Sequence, residues 1–415
     1  MEDPSTALND RCVKAARKVR VLSSLSWPEG TVQAFLEGWR RGQPTLPEVP
    51  PLDRDLDETC QALRAVARDA DPDDPVEAHI ARTAQSYAVA GEMLQHAGTS
   101  GFTDRSVALY GSPRQRLAGS TLTHHEAAEA LLENTANLEA AGVLRPHDLC
   151  LTAESVKTEL DEAFAAFFAD SAPRVVIDED LASKAAAGSR RVRIRGGTCF
   201  SEQDGRQLIE HEGFVHAGTA LNGRAQPVLG CMGLSAPRTT KTQEGLATLA
   251  ELVTRTTDII RLRRLALRTV AIHQALEGAD YIEVFRFFLE SGQSEDESAH
   301  SAMRVFRGGD VRGAVCFTKD IVYLSGLLSV HTFFRKAIAD GQPHLIARLF
   351  AGRMTLGDVF ALGPSFEDGR VAPARFVPPW ATATHQLAAY LCFSALTNRI
   401  DLSSLDLNSV LDDPG

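Results

Sequence analysis

His211-Glu212-Gly213-Phe214-Val215-His216 places two imidazoles and a carboxylate within one short segment. Thr242-Gln243-Glu244-Gly245-Leu246-Ala247 follows and offers a further carboxylate. Two His and one Glu around an open fourth position are the ligand set of hydrolytic zinc. Glu212 is then free to act as the general base that such a site needs for its water. These residue types point to a metallohydrolase, and to amide hydrolysis as its chemistry.

The spacing constrains the backbone that carries it. In the familiar H-E-x-x-H motif the two His lie at i and i+4 on one helix face. Here the second lies at i+5. On a straight α-helix, at about 100° per residue, the two side chains diverge by roughly 140° and cannot reach one ion. A π-turn brings i and i+5 nearly above one another, and such turns concentrate at functional sites. The alternative is a helix that loosens at His216, ahead of Asn222-Gly223 as a C-terminal cap. Leu208-Ile209 and Phe214-Val215 mark a buried helix. Polar groups inside a buried helix need partners, and one metal ion would satisfy all of these at once.

The run RIRGGTCFSEQDGRQLIEHEGFVHAGTALNGRAQP, with TQEGLA after it, carries a resemblance. It resembles a bacterial family named for its QEGLA motif. That family is similar to the microtubule-associated tyrosine carboxypeptidase family of zinc metallopeptidases. GTSGFTDRSVALYG at 98–111, RVFRGG at 304–309 and FTKDIVYLSGL at 317–327 extend the likeness over most of the chain. The resemblance implies that His211, His216 and Glu244 are zinc ligands and that Glu212 is the base. Gln243 stands where an EEGLA version has its first Glu, which leaves Glu244 as the ligand.

Amide hydrolysis also needs an oxyanion donor and a hold on the substrate. Tyr323, within the matched 317–327 segment, is the candidate donor. A carboxypeptidase must grip a terminal carboxylate, for which the bidentate guanidinium of Arg is the best single group. Arg304 and Arg307 lie at i and i+3 before Gly308-Gly309, so both can project from one helix face. Lys319 and Arg224 are further candidates. Arg190-Val192-Ile194 reads as a strand, expected at a sheet edge where a substrate backbone could pair by β-augmentation or where it could simply form a hairpin. His124-His125-Glu126 reads as the polar start of a helix, since adjacent His residues point to different faces. His273, His331 and His385, set among apolar residues, read as core or boundary histidines.

The composition excludes other classes. A net charge of −11 argues against nucleic-acid binding by phosphate neutralisation. No run approaches the ~18 apolar residues of a membrane helix. MEDPSTALNDRC at the start is acidic and polar, unlike a secretory signal. The seven Cys are scattered without a CxxC pair and read as reduced thiols, which gives a cytoplasmic expectation. Cys199 and Cys231, which flank the motif, read as small apolar packing.

The elements that must position these residues are mostly helical. Helices are expected within 5–40, broken at Ser26-Trp27-Pro28-Glu29-Gly30 with Ser26 as a cap for the second. A Pro-rich linker follows at 41–58, with helices at 57–69 and 76–97 and a Gly/Ser/Thr loop at 98–106. Helices resume at 123–141 and 153–169. Period-two alternation gives strands at 174–177 and 190–194. Ser201, with Asp204 three residues on, caps the metal helix. A second long helix is expected from Thr242 to about Ala275.

The sequence thus describes a mainly α protein with a small α+β metal core: a gluzincin-like helical metallopeptidase with a short β-hairpin or sheet beside the active-site helix. Residues 1–115 form an N-terminal helical region and 116–415 the catalytic domain. The expected activity is that of a zinc-dependent carboxypeptidase acting on a peptide or protein C-terminus. A zinc amidase on a small molecule, or a regulatory protein that keeps the metal fold, are the alternatives.

Overall fold

The computed structural model describes residues 3–52, 54–140, 150–179, 181, 184–188 and 190–400. Ser5–Ala16, Thr31–Arg40, Asp57–Asp69, Pro75–Gln95 and Ser100–Tyr110 form helices ahead of the site. The longest of these starts where Asp74 accepts hydrogen bonds from the Val76 and Glu77 amides and Pro75 occupies the first turn. It buries Val76, Ile80, Ala84, Ala88 and Leu94 in the main core. Phe35 meets Tyr281 and Phe285 edge-on there, with ring centroids 4.8 and 4.9 Å apart.

Two expectations in this region are corrected. Residues 98–106 are not a loop, because helix Ser100–Tyr110 occupies most of them. Its polar residues are drawn into tertiary bonds: Thr103 Oγ1 lies 3.3 Å from the Cys316 carbonyl, and Ser106 Oγ 2.9 Å from Thr318 Oγ1. Ser26 does not cap the helix at 31. Its hydroxyl donates back to the Leu22 carbonyl at 3.2 Å, and Gly30, at φ +80°, opens Thr31–Arg40. Among its described residues the linker at 41–58 has no helix before Asp57.

The sheet has three strands: β1 (Arg174–Asp178), β2 (Ala185–Ala187) and β3 (Arg191–Arg195). β3 runs parallel to β1, with Val175 opposite Val192 and Ile177 opposite Ile194, and antiparallel to β2. The order β1-β3-β2 corrects the expectation of an edge strand at 190–194. β3 is paired on both sides, and the short β2 was not foreseen. Val192 and Ile194 point into a second core with Val156, Leu160, Phe164 and Phe168 of helix Ala153–Phe168. Phe200, Leu208 and Ala217 complete it, so the helix that carries His211 and His216 packs against this small α+β layer.

Cys150 and Cys199 form a disulfide beside the antiparallel bridge of Leu151 and Phe200. This corrects the reading of seven reduced thiols, and of Cys199 as packing. Cys231 is buried and unpaired. The helix expected at 123–141 is His124–Asn134 followed by Ala136–Ala140, and position 141 lies outside the described residues. Thr123 and Glu126 form its capping box.

The long helix expected from 242 is two. Thr240–Val253 ends before Arg255, whose φ of +58° cannot continue a helix. Asp258 starts Ile259–Leu276 by accepting from the Arg261 amide at 2.7 Å. Among the described residues no helix is long and apolar enough to cross a membrane.

Candidate metal centre

The metal helix begins as the sequence requires. Ser201 accepts from the Asp204 amide at 3.1 Å, and Asp204 reaches back to the Ser201 amide at 2.8 Å. Residues Glu202–Leu208 are α-helical, and Ile209–Ala217 then form a π-helix. Gly213 sits against Phe164, where an added Cβ would lie 2.1 Å from Cε1. Over this π-segment the rings of His211 and His216 come to 4.8 Å between centroids, nearly perpendicular at 87°. The i+5 spacing is therefore met by a sustained π-helix in place of a loosened end.

Glu244 comes from helix Thr240–Val253. Its Oε2 lies 3.6 Å from Nε2 of His211 and 3.6 Å from Nε2 of His216. One ligand atom from each of the three residues falls within 4.8 Å of the others. The two 3.6 Å separations suit ligands that share one ion at about 2.0–2.2 Å. Gln243 faces elsewhere: its Oε1 accepts from Thr219 Oγ1 at 2.8 Å. Glu212 Oε1 stands 4.0 Å from His211 Nε2, beside the triad and outside it.

The charges of His211 and Glu244 support one another. Burial works against a charged His211, yet hydrogen bonds to Glu244 and Glu251 push its pKa up to about 10. Burial also opposes ionisation of Glu244, but the Lys319 charge and the two imidazoles hold it well below the usual carboxylate range.

A basic cluster adjoins the triad. Lys319 Nζ is 3.4 Å from Glu244 Oε1 and 5.1 Å from the centre of the Tyr323 ring. Arg268 stacks on the same ring, also at 5.1 Å. Arg304 grips Asp320 with two hydrogen bonds, Nε at 2.6 Å and Nη2 at 2.9 Å. Arg307 is buried over Phe317, and its Nε has no hydrogen-bond partner. Burial and the neighbouring Arg304 charge bring both Arg268 and Arg307 down to about 10. The structure thus gathers Lys319, Tyr323, Arg304 and Arg307 into one neighbourhood. Arg224 instead stands exposed at the end of helix Gly218–Arg224.

Sequence reasoning missed several residues here. Glu251 hydrogen-bonds His211, and Arg261 and Gln207 hold Glu251. Arg353 donates to the His216 carbonyl at 3.1 Å and to Ser235 Oγ. For Glu251 a signal was available, since a lone carboxylate in the apolar run Leu249–Val253 needs a buried partner. For Arg353, far along the chain, there was none. The His124-His125 pair is separate from the centre. His124 is buried, which lowers its pKa to about 4, and the His125 ring lies 3.9 Å from that of His273.

Among curated proteins none matches the chain. A solved structure described as a lipoprotein from Colwellia psychrerythraea is 15% identical, covering 92% of this chain and 69% of that one, with a TM-score of 0.39. That likeness is too loose to define the fold. The family model described as Microtubule-associated tyrosine carboxypeptidase matches residues 33–399, which include the π-helix, Glu244 and the basic cluster. By that match over most of its length, the chain belongs to the microtubule-associated tyrosine carboxypeptidase family.

Proposed function

We propose that this protein is a zinc-dependent metallopeptidase that removes residues from the C-terminus of a peptide or protein. The observation that carries the reading is the convergence of His211, His216 and Glu244 on one point, with Glu212 4.0 Å from a ligand nitrogen. Zinc held by these three residues would supply Lewis acidity and lower the pKa of a water to about 7. Glu212 takes the proton from the attacking water and passes it to the leaving amine. Tyr323, fixed between Arg268 and Lys319, would donate its hydroxyl to the developing oxyanion.

The choice of a carboxypeptidase rests on the basic cluster. Arg268, Arg304, Arg307 and Lys319 face the counter-charges of Asp320 and Glu244. The uncompensated positive charge suits a substrate carboxylate. Arg304 is already committed to Asp320, so Arg307 with its unpartnered Nε is the stronger candidate. The family name supplies the candidate residue, a terminal tyrosine. Arg224 is retained as a candidate for more distant substrate contacts.

Residues 116–415 would carry the catalysis and 1–115 support it, since Ser106 braces Thr318 next to Lys319. The cytoplasmic expectation now competes with the Cys150–Cys199 bond, because disulfides persist mainly in oxidising compartments. The test of function is metal analysis of purified protein, followed by mass spectrometry of peptides with varied C-termini. Zinc near one per chain, lost in His211→Ala, together with stepwise C-terminal trimming, is the expected result. Arg307→Ala should raise KM for free C-termini while sparing zinc. Equal cleavage of C-terminally amidated peptides would instead favour an endopeptidase or amidase.

A further inference from the structure

Glu251 has no part in the chemistry above, yet it is completely buried. It lies two helical turns beyond Glu244 on the same helix, so one helix face presents both carboxylates to the π-helix. Glu251 Oε1 accepts from His211 Nδ1 at 2.6 Å and from Gln207 Nε2 at 2.7 Å. Arg261, from helix Ile259–Leu276, closes on both oxygens, with Nη2 2.5 Å from Oε1 and Nε against Oε2. A buried carboxylate without such a partner would be costly, so Arg261 is what allows Glu251 to stand there as an acceptor.

Two consequences follow from this arrangement. An ionised carboxylate only accepts hydrogen bonds. Nδ1 of His211 must therefore carry the proton, and Nε2 is the nitrogen presented to Glu244 and a metal. Gln207 is in the α-helical part of the metal helix and His211 in the π-helical part. A single oxygen of Glu251 thus ties together the two sides of the junction between the helix types.

We infer that Glu251, backed by Arg261, is a positioning residue: it sets the ring orientation of His211 and the start of the π-register, and so preforms the metal site. The inference rests on the zinc reading given above. Hydrogen-bond partners of ligating imidazoles typically change metal affinity by about 10–100-fold when removed.

The experiment is zinc affinity by chelator competition for the parent, His211→Ala, Glu251→Gln and Arg261→Met. Circular dichroism supplies the folded fraction, and long-range ¹⁵N NMR of the zinc-bound protein reads which His211 nitrogen carries the remaining proton. Glu251→Gln should bind zinc about 10–100-fold more weakly per folded molecule, with the Nδ1 proton of His211 no longer held in one place. Arg261→Met leaves Glu251 with Gln207 and His211 as its partners and without its counter-charge, and should weaken zinc in the same direction. Should Glu251→Gln fail to fold, Arg261→Met decides alone. Parental affinity per folded molecule in the decisive variant overturns the positioning role while leaving the metal site standing. A parent that binds no zinc, or binds it as well without His211, overturns both.

Discussion

Glu212 and His211 are neighbours in sequence with different proposed tasks, and each makes a separate prediction. Glu212 is largely buried and stands beside the triad without joining it. Glu212→Gln should retain zinc and fold but lose about 10²–10⁴-fold in hydrolysis, the usual weight of a general base. Single-turnover assays with a tyrosine-ended peptide would show it, and wild-type rates would remove Glu212 from the mechanism. For His211 the argument is linkage. Its pKa in the metal-free protein is raised to about 10, so at pH 7 it holds a proton that zinc must displace. Zinc affinity should therefore climb with pH, close to tenfold per unit for this one proton, and level off above about 10. The same shift stabilises the metal-free fold fully below the unfolded histidine value of about 6.5, and that contribution fades as pH rises toward 10. Calorimetry in buffers of different ionisation enthalpy counts the protons; a binding constant flat between pH 6 and 8 would contradict the assignment.

At the level of elements, the site is the meeting of two helices whose approach depends on glycine. Helix Thr240–Val253 crosses helix Val322–Ala339 at Gly245 and Gly326, where an added Cβ on Gly245 would lie 2.3 Å from the Gly326 carbonyl oxygen. Neighbouring backbone cannot move aside as a flexible side chain does. Gly245→Ala should cost at least the ~1–3 kcal/mol of ordinary overpacking and displace Glu244, the next residue. Thermal melts and zinc titration would record both effects, and an unchanged melting temperature would mean that the helices separate easily. This crossing gives the Gly of the QEGLA motif a physical reason. The sequence shows the motif but not the partner helix, which lies far along the chain. The π-helix, by contrast, was legible, because i+5 ligands have few other ways to meet. The loop expected at 98–106 failed for an instructive reason: its Ser and Thr hydroxyls are satisfied by residues near 316–318, and tertiary contacts outweigh local propensity.

Across the molecule, distant segments are joined in ways that no local pattern announces. The Cys150–Cys199 bond spans 49 residues, and neither cysteine has a neighbour in sequence to suggest its partner. A loop of that length should contribute ~4 kcal/mol through the restricted unfolded chain. Cys150→Ser/Cys199→Ser should lower the melting temperature, and dithiothreitol should do the same to the parent but not to the variant. A parent indifferent to reductant would return the pair to the status of free thiols. The helical class, the capping box at Ser201 and the meeting of His211, His216 and Glu244 were all readable from spacing and residue type. The central place of β3, the break at Arg255 and the Glu251–Arg261 pair depended on packing between segments. The π-helix has one further consequence, for how the gene can vary. Point substitutions on the outer surface leave the spacing of His211 and His216 untouched, but a one-codon insertion or deletion between them would rotate one ligand by about 100° against the other. The stretch at 43–52, which has neither helix nor strand, should absorb length changes freely, whereas the six codons from 211 to 216 should tolerate none. Length variation along the gene should therefore mark the site as clearly as any substitution.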